Sequence, residues 1–282
     1  MSSPASPDLA QRIRQANIRL HDRKAQEFDR EEVHMHKPRL QRRTDELAAF
    51  VLERVRSPRP RLLDLGCGTG NWSLRFAPHG YDITGLDISA GMLEVYRRKL
   101  AGRARTVHSD VDAFLAQNED RFDVIAFSAV LHHLPDYAAT LTRAAARLTP
   151  GGLLVIHHEH RHARDVGRAT RFIEHLDIRL YGIAYKWRHH RADFLPAIRR
   201  KLGLTPRHQP AGQNTGDDIR YADYHVFAGG VSEQQVIATL EAQGLRIVRH
   251  DTYQQLRLGA LNALANLSRL HGLFSLVAAA EA

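Results

Sequence analysis

The sequence predicts an α/β fold built on a Rossmann-like, doubly wound and mostly parallel sheet of seven strands. Three observations carry that expectation. The first is the stretch Arg61 to Gly70, in which the apolar run Leu62-Leu63-Asp64-Leu65 passes into three alternate glycines, Gly66, Gly68 and Gly70. The second is the alternation of short apolar runs with amphipathic segments from there to Ile156. The third is the pair of acids, Asp87 and Asp110, that close the next two expected strands. Around a core over residues 57–156, the reading adds an N-terminal helical cap (1–56) and a lid inserted between strands five and six (157–230). A C-terminal completion of the core (231–258) and an amphipathic tail (259–282) follow.

The elements follow in order. Asp8 to Val33 reads as one or two charged helices with sparse apolar positions, a segment that lies over a core rather than building one. Leu40, Leu47, Phe50, Val51 and Val55 recur at helical spacing from Pro38 onward, and Ser57-Pro58-Arg59-Pro60 stops that helix. Leu62–Leu65 is the first buried strand, and Asn71-Trp72-Ser73-Leu74 opens a helix. Tyr81–Asp87 is the second strand, and Ser89 caps the helix after it. Thr106–Asp110, Phe122–Phe127 and Leu153–Ile156 are strands three to five, the fourth nearly all apolar as a doubly covered strand is. Tyr137 to Leu148 is helical.

From residue 157 to 230 the rhythm breaks, and half of the chain's 18 histidines fall here. Helices are expected over Arg168–Tyr185 and Ala192–Lys201, with a loop from Pro206 to Gly216. Tyr181, Tyr185, Trp187, Tyr221 and Tyr224 are candidates for an aromatic wall. Ser232 caps a helix to Gln243, Leu245–His250 is the sixth strand and Tyr253–Leu258 the seventh. Ala260–Ala282 reads as an Ala/Leu-rich amphipathic tail.

Composition narrows the function classes. The chain has 282 residues, 43% of them hydrophobic, enough for a real core. No run of about 18 apolar residues is present, so no spanning helix is expected. Met1–Pro7 lacks the basic start and apolar run of a secretory signal, and Cys67 is the single cysteine, so the cytoplasm is the expected compartment. The net charge is +9, but no block of five or more Lys/Arg occurs and aromatics do not interleave with basic runs. No nucleic-acid partner is expected.

The glycine turn is not the dinucleotide fingerprint, because Asn71 stands where the third glycine of G-x-G-x-x-G belongs. Asp87 lies 17 positions after Gly70, where an acid accepts both ribose hydroxyls of a nucleotide, with Ile88 against the adenine face. Asp110 can accept from an adenine amino group, with Val111 behind it. His158, His160 and His162 share one face of an extended backbone at a metal-ligand spacing, but Arg161 and Arg164 oppose a cation, and no metal is expected.

Asp64–Gly70, Gly85–Ser89, Ser109-Asp110-Val111, Phe122–Pro135 and Leu148–Ile156 together resemble successive motifs of the class I S-adenosylmethionine (SAM) dependent methyltransferases. The likeness is to the small-molecule group of the ubiquinone and menaquinone methyltransferases. It covers about residues 45–156 well and 232–258 loosely, and does not reach the lid or tail. It implies SAM as cofactor, seated on Asp64, Gly66, Cys67, Gly68 and Gly70. Gly66 and the backbone of Phe127 and Ser128 would hold the methionine amino group, Asp87 the ribose, and Ile88, Asp110 and Val111 the adenine. Ala126–Ala129 differs from the [DN]-P-P-[YFW] of amino-group methylation, no cysteine stands there for C5-cytosine chemistry, and no acid ends strand four for a metal-dependent catechol reaction.

The expected function is methyl transfer to a small-molecule acceptor in secondary metabolism, at oxygen first, with nitrogen and carbon open. His132, His133 and His157 are the candidate general bases. The alternatives are cyclisation of SAM, a membrane-apposed enzyme with a lipid-linked acceptor, and a non-catalytic SAM-binding subunit.

Overall fold

Every strand expected between Leu62 and Ile156 forms; burial on both faces is the reason for the central ones, while β3 is a partly exposed edge strand. The computed structural model of the chain describes residues 6–189, 220–227, 229–256 and 258–281. The strands are β1 (Arg61–Leu65), β2 (Asp82–Asp87), β3 (Arg105–His108), β4 (Phe122–Ser128), β5 (Leu148–His160), β6 (Arg246–Tyr253) and β7 (Leu273–Ala279). They form one sheet in the order β3-β2-β1-β4-β5-β7-β6. The pairs β1–β2, β1–β4, β2–β3 and β4–β5 are parallel. Gly151 and Gly152 at the start of β5 bond to Glu281 and Ala280 just past the end of β7, whereas His157 meets Ser275. β7 therefore runs opposite to β5.

Successive residues of each strand feed opposite cores. Leu63, Leu65, Ile125, Phe127, Leu154 and Ile156 pack on one face, with Leu115, Leu141 and Leu240 of the covering helices. Leu62, Val124, Ala126, Leu153 and Val155 pack on the other, with Leu47, Val51, Trp72 and Phe76. The helices are α1 (Pro7–Lys24), α2 (Phe28–Glu31), α3 (Val33–His36), α4 (Pro38–Leu52), α5 (Ser73–Phe76), α6 (Ala90–Leu100), α7 (Val111–Gln117), α8 (Tyr137–Ala145), α9 (Arg168–His189), α10 (Tyr224–Phe227), α11 (Glu233–Ala242) and α12 (Gly259–Leu267). Several begin on a side-chain cap: Ser6, Ser89, Asp110, Asp136 and Ser232 each accept a backbone N–H of the first turn. No helix among the described residues is long and apolar enough to cross a membrane.

The chain divides into two compact units, Met1–Asp165 with Gly216–Asp251 and Phe274–Ala282, and Val166–Thr215 with Thr252–Leu273. In the second, Ile173, Leu256 and Ala265 pack together. Asp177 accepts from Leu258 N at 2.8 Å, and Gln254 donates to Glu174 at 2.8 Å. The helix expected over Ala192–Lys201 and the loop from Pro206 to Gly216 lie outside the described residues. So do the side chains of Tyr185 and Trp187.

The C-terminal quarter departs from expectation. Among the described residues of Tyr253–Leu258 no separate strand forms, because β6 already ends at Tyr253. The seventh strand is instead Leu273–Ala279, inside the stretch expected to be an amphipathic tail, and it lies between β5 and β6. A central strand covered on both faces carries a nearly all-apolar run, here broken only by Ser275, with no period of two, so a short Ala/Leu-rich sequence hides it. Similarly, His157 to His160 extend β5 rather than open a lid.

Burial of Leu273, Phe274, Leu276 and Val277, at about 1.5–3 kcal/mol each, is comparable with the whole ~5–15 kcal/mol net stability of a domain. A chain ending at Gly272 should therefore lose the cooperative urea transition followed by circular dichroism. An intact transition in that truncation would show that β7 is dispensable.

Candidate active site

In the parallel part of the sheet the chain leaves β1 for β2 on one side and returns to β4 on the other, so a crevice opens at the carboxyl end of β1. The glycine turn fills that point. Gly66 and Gly68 have φ of +67° and +51°, a region that side chains disfavour. A Cβ on Gly66 would stand 2.7 Å from the side chain of Val130, so the loop after β4 packs directly on this turn. A Cβ on Gly68 would meet nothing within 4 Å. The backbone there is open to a ligand. Burial pushes the Cys67 thiol well up, so it is no nucleophile.

Beneath the turn lies a buried polar chain. Tyr96 Oη donates to Ser73 Oγ at 2.9 Å, and Ser73 Oγ donates to Asp64 Oδ2 at 2.6 Å. Asp64 is 1% exposed, and its Oδ1 has no hydrogen-bond partner. Burial pushes this carboxyl up to about 7. A buried acceptor left single at the foot of the glycine turn suits a cationic donor from a ligand, because an unpaired buried polar atom is costly.

At the end of β2, Asp87 accepts Gly68 N on Oδ2 and Ser89 N on Oδ1, each at 2.8 Å. These bonds orient the carboxylate and leave it further lone pairs for hydroxyl donors. Burial raises its pKa. The helical cap adds two acids. Asp22, just inside the end of α1, accepts from Ser89 Oγ at 2.6 Å and Gly91 N at 2.9 Å. Asp29 in α2 accepts from Thr69 Oγ1 and pairs with Lys99 at 2.6 Å. Ile88 and Asp110 are partly buried beyond Asp87, and Asp110 spends Oδ1 on Ala113 N, capping α7. Val111 is buried in the core.

β4 ends in Phe127, fully buried, and Ser128. The loop after it turns through Ala129 at φ +57° and is held by Glu159, the penultimate residue of β5. Glu159 is 0% exposed. Its Oε1 accepts Val130 N at 2.6 Å and Leu131 N at 2.8 Å, and its Oε2 stands 2.8 Å from His132 Nδ1. His133 Nδ1 lies 2.7 Å from Ala222 O. Burial holds both imidazoles well below the usual range, so both are neutral at neutral pH. His21 of α1 meets the His133 ring edge-on at 5.1 Å, and His34 of α3 lies 4.9 Å from His158.

The structure thus brings together Asp64, the glycines, Asp87, and the loop carrying His132 and His133. It withdraws His157. His157 Nε2 lies 3.0 Å from Thr44 Oγ1 of α4 and Nδ1 lies 2.8 Å from Ser275 Oγ of β7, so both ring nitrogens are taken and the residue ties three elements together. The face shared by His158, His160 and His162 does not form either, because His158 sits at φ +62° and breaks the alternation. One trio among the described residues, His132, His133 and Asp223, brings potential metal-ligand atoms within 4.8 Å of one another. Its members are tied to their own neighbours: Asp223 Oδ1 stands 3.6 Å from His133 Nδ1, the nitrogen already facing Ala222.

The sequence reading did not single out Glu159, Ser73, Tyr96, Asp22, Asp29 or His21. A buried acid at an inward position of an extended β5 is the one signal that would have pointed to Glu159. The others reach the site only through tertiary packing.

A family described as a methyltransferase domain matches residues 34–209. A ubiquinone biosynthesis O-methyltransferase of Aromatoleum aromaticum is 37% identical over 95 residues, 33% of this chain and 41% of that one. A demethylmenaquinone methyltransferase of Clavibacter sepedonicus is 40% identical over 98 residues, 34% of this chain and 40% of that one. The chain thus spans about two fifths of the length of these curated relatives. In fold it is similar to magnesium protoporphyrin IX methyltransferase from Synechocystis with bound SAM, with a TM-score of 0.56, 17% identity, and coverage of 99% of this chain and 100% of that one. It is likewise similar to the N-methyltransferase NodS from Bradyrhizobium japonicum, with a TM-score of 0.53, 15% identity, and coverage of 94% and 97%.

The locked geometry of His157 has a titration signature. Burial pushes it down to about 3 from an ordinary 6.5. A depressed native pKa gives stability that is fully present above about 6.5 and is lost as pH falls toward 3. Replacing His157 by Gln should cost about 2 kcal/mol in urea unfolding at pH 7.5 and about 1.4 kcal/mol less at pH 5.5. A difference independent of pH would mean that His157 titrates freely, as an acceptor-facing base does.

Proposed function

The chain belongs to the methyltransferase-domain family, and on that premise we propose that it transfers the methyl group of SAM to an oxygen of a small-molecule acceptor. Two observations carry the reading: the unpartnered, buried Oδ1 of Asp64 near the end of β1, and the open backbone of Gly68 three residues into the glycine turn that follows it. That is a seat for an ammonium group over bare backbone, with the ribose-binding acid Asp87 next to it.

When bound, SAM supplies a methyl group already activated by its sulfonium. The chain's residues have the remaining tasks. Asp64, with Gly66 and the backbone of Phe127 and Ser128, holds the amino-acid end. Asp87 accepts from the ribose hydroxyls, and Ile88, Asp110 and Val111 border the adenine. Gly68 and Gly70 keep the backbone low, and Cys67 fills the turn with a small buried side chain. Asp22 and Asp29 fasten the helical cap to the glycine turn and to the start of α6, which excludes water and keeps the reacting groups aligned.

His132 is the proton acceptor for the acceptor's hydroxyl, with the His133 ring tilted 47° against it at 4.0 Å between ring centroids. A neutral imidazole suits that task. Oxygen as the methylated atom is supported by the O-methyltransferase name of the relative from Aromatoleum aromaticum.

Isothermal titration should show binding of SAM and S-adenosylhomocysteine. Asp87→Ala should weaken it at least about 100-fold, the loss of two charge-assisted bonds at ~1.5–3 kcal/mol each. Affinity should also fall as pH drops through about 7, where Asp64 takes a proton, and Asp64→Asn should abolish that dependence. With an oxygen acceptor, mass spectrometry should find S-adenosylhomocysteine and a product about 14 Da heavier. Methylthioadenosine as the product would replace methyl transfer by cyclisation of SAM.

A further inference from the structure

We propose that Glu159 is the positioning residue of the proton-accepting imidazole: its carboxylate fixes His132 in the tautomer with the proton on Nδ1, leaving the Nε2 lone pair for the acceptor's hydroxyl. The inference rests on the O-methylation reading above and adds to it the group that prepares the base.

The geometry divides the carboxylate into two tasks. Oε1 takes the two N–H groups of Val130 and Leu131, and Oε2 faces His132 Nδ1 alone. Holding the loop needs only a neutral acceptor. Burying a full charge at 0% exposure for that purpose costs more than an amide would. Among the described residues, the one ionisable side chain that Glu159 bonds is His132. A carboxylate acceptor calls for a proton on Nδ1, and a neutral imidazole then keeps its lone pair on Nε2. As the acceptor's O–H bond breaks toward Nε2, the electron pair stays on the oxygen that receives the methyl, and the imidazolium formed faces the carboxylate across 2.8 Å.

The surroundings favour a single proton on the pair. His133 from the same loop, His160 from β5, His21 from α1, His34 from α3 and His225 from α10 all bear on His132, and each disfavours its charging when it carries a proton itself. Burial pushes Glu159 up to about 7. A pair so coupled takes up its proton as a unit, and with that proton aboard Nε2 no longer acts as a base. The activity limb governed by this pair therefore rises with pH through the neutral range.

Glu159→Gln separates positioning from structure. The amide oxygen still accepts from Val130 and Leu131, so the loop holds, but the amide NH₂ donates to Nδ1 and drives the His132 proton to Nε2. The expected result is a loss of about 100- to 10,000-fold in kcat with KM for SAM changed less than about twofold. The ¹⁵N shifts of His132 should switch from the Nδ1–H to the Nε2–H pattern. In a His132→Ala background the same Glu159→Gln change should cost almost nothing more in kcat, since the two act as one unit. Kcat within about threefold of wild type, or full additivity with His132→Ala, would overturn the proposal. The wild-type ¹⁵N spectrum, taken without any acceptor, stands as a test even if the variant folds poorly: an Nε2–H tautomer there sinks it. That reading is independent of the methylated atom. Failure of O-methylation would appear as the absence of any O-methyl product while the tautomer result still stands.

Discussion

A buried carboxylate at the end of β5 holds the site together. Glu159 takes the backbone N–H groups of Val130 and Leu131, which no strand partner can satisfy where β4 stops. With that loop held, the Val130 side chain packs where a Cβ on Gly66 would be. The glycine turn and the histidine loop are thereby pressed against each other. Removing the carboxylate would free both at once, because two buried donors would lose their acceptor.

The same solution recurs along the carboxyl edge of the sheet. Asp64 within β1, Asp87 at the tip of β2 and Glu159 near the end of β5 are all buried acids, and burial raises each of them. Backbone N–H groups steady Asp87 and Glu159, and Ser73 steadies one oxygen of Asp64. What distinguishes Asp64 is the oxygen left over. Of the three, Asp64 and Asp87 keep acceptor capacity after these bonds, which favours a cationic, hydroxyl-rich ligand, and SAM has both characters. The helical cap adds Asp22 and Asp29 to the same edge. Two of its acids thus fasten it where the ligand would lie.

Histidines surround the crevice but do different work. His157 spans from α4 to β7 across β5 and is a structural tie. His132 sits one hydrogen bond from Glu159, and His133 one from Ala222. Adjacent positions in the sequence, His132 with His133 and His157 with His158, carry no information about these partners. A histidine's chemistry depends on which of its two nitrogens is already spent.

The sequence by itself determined the first five strands, the glycine turn and the acids Asp64 and Asp87. The central parallel strands β1 and β4 and the later half of β5 are largely apolar runs closed by turn residues, and each site residue lies within a few positions of a strand end, so local spacing encodes it. Only the tertiary structure decided β7, whose apolar run reads equally as helix because both its faces are covered. It alone decided the roles of Glu159, Ser73, Tyr96, Asp22 and Asp29 as well. Their partners lie from 9 to 70 positions away, and hydrogen bonds over such separations exist only once the sheet has brought the ends of its strands to one edge.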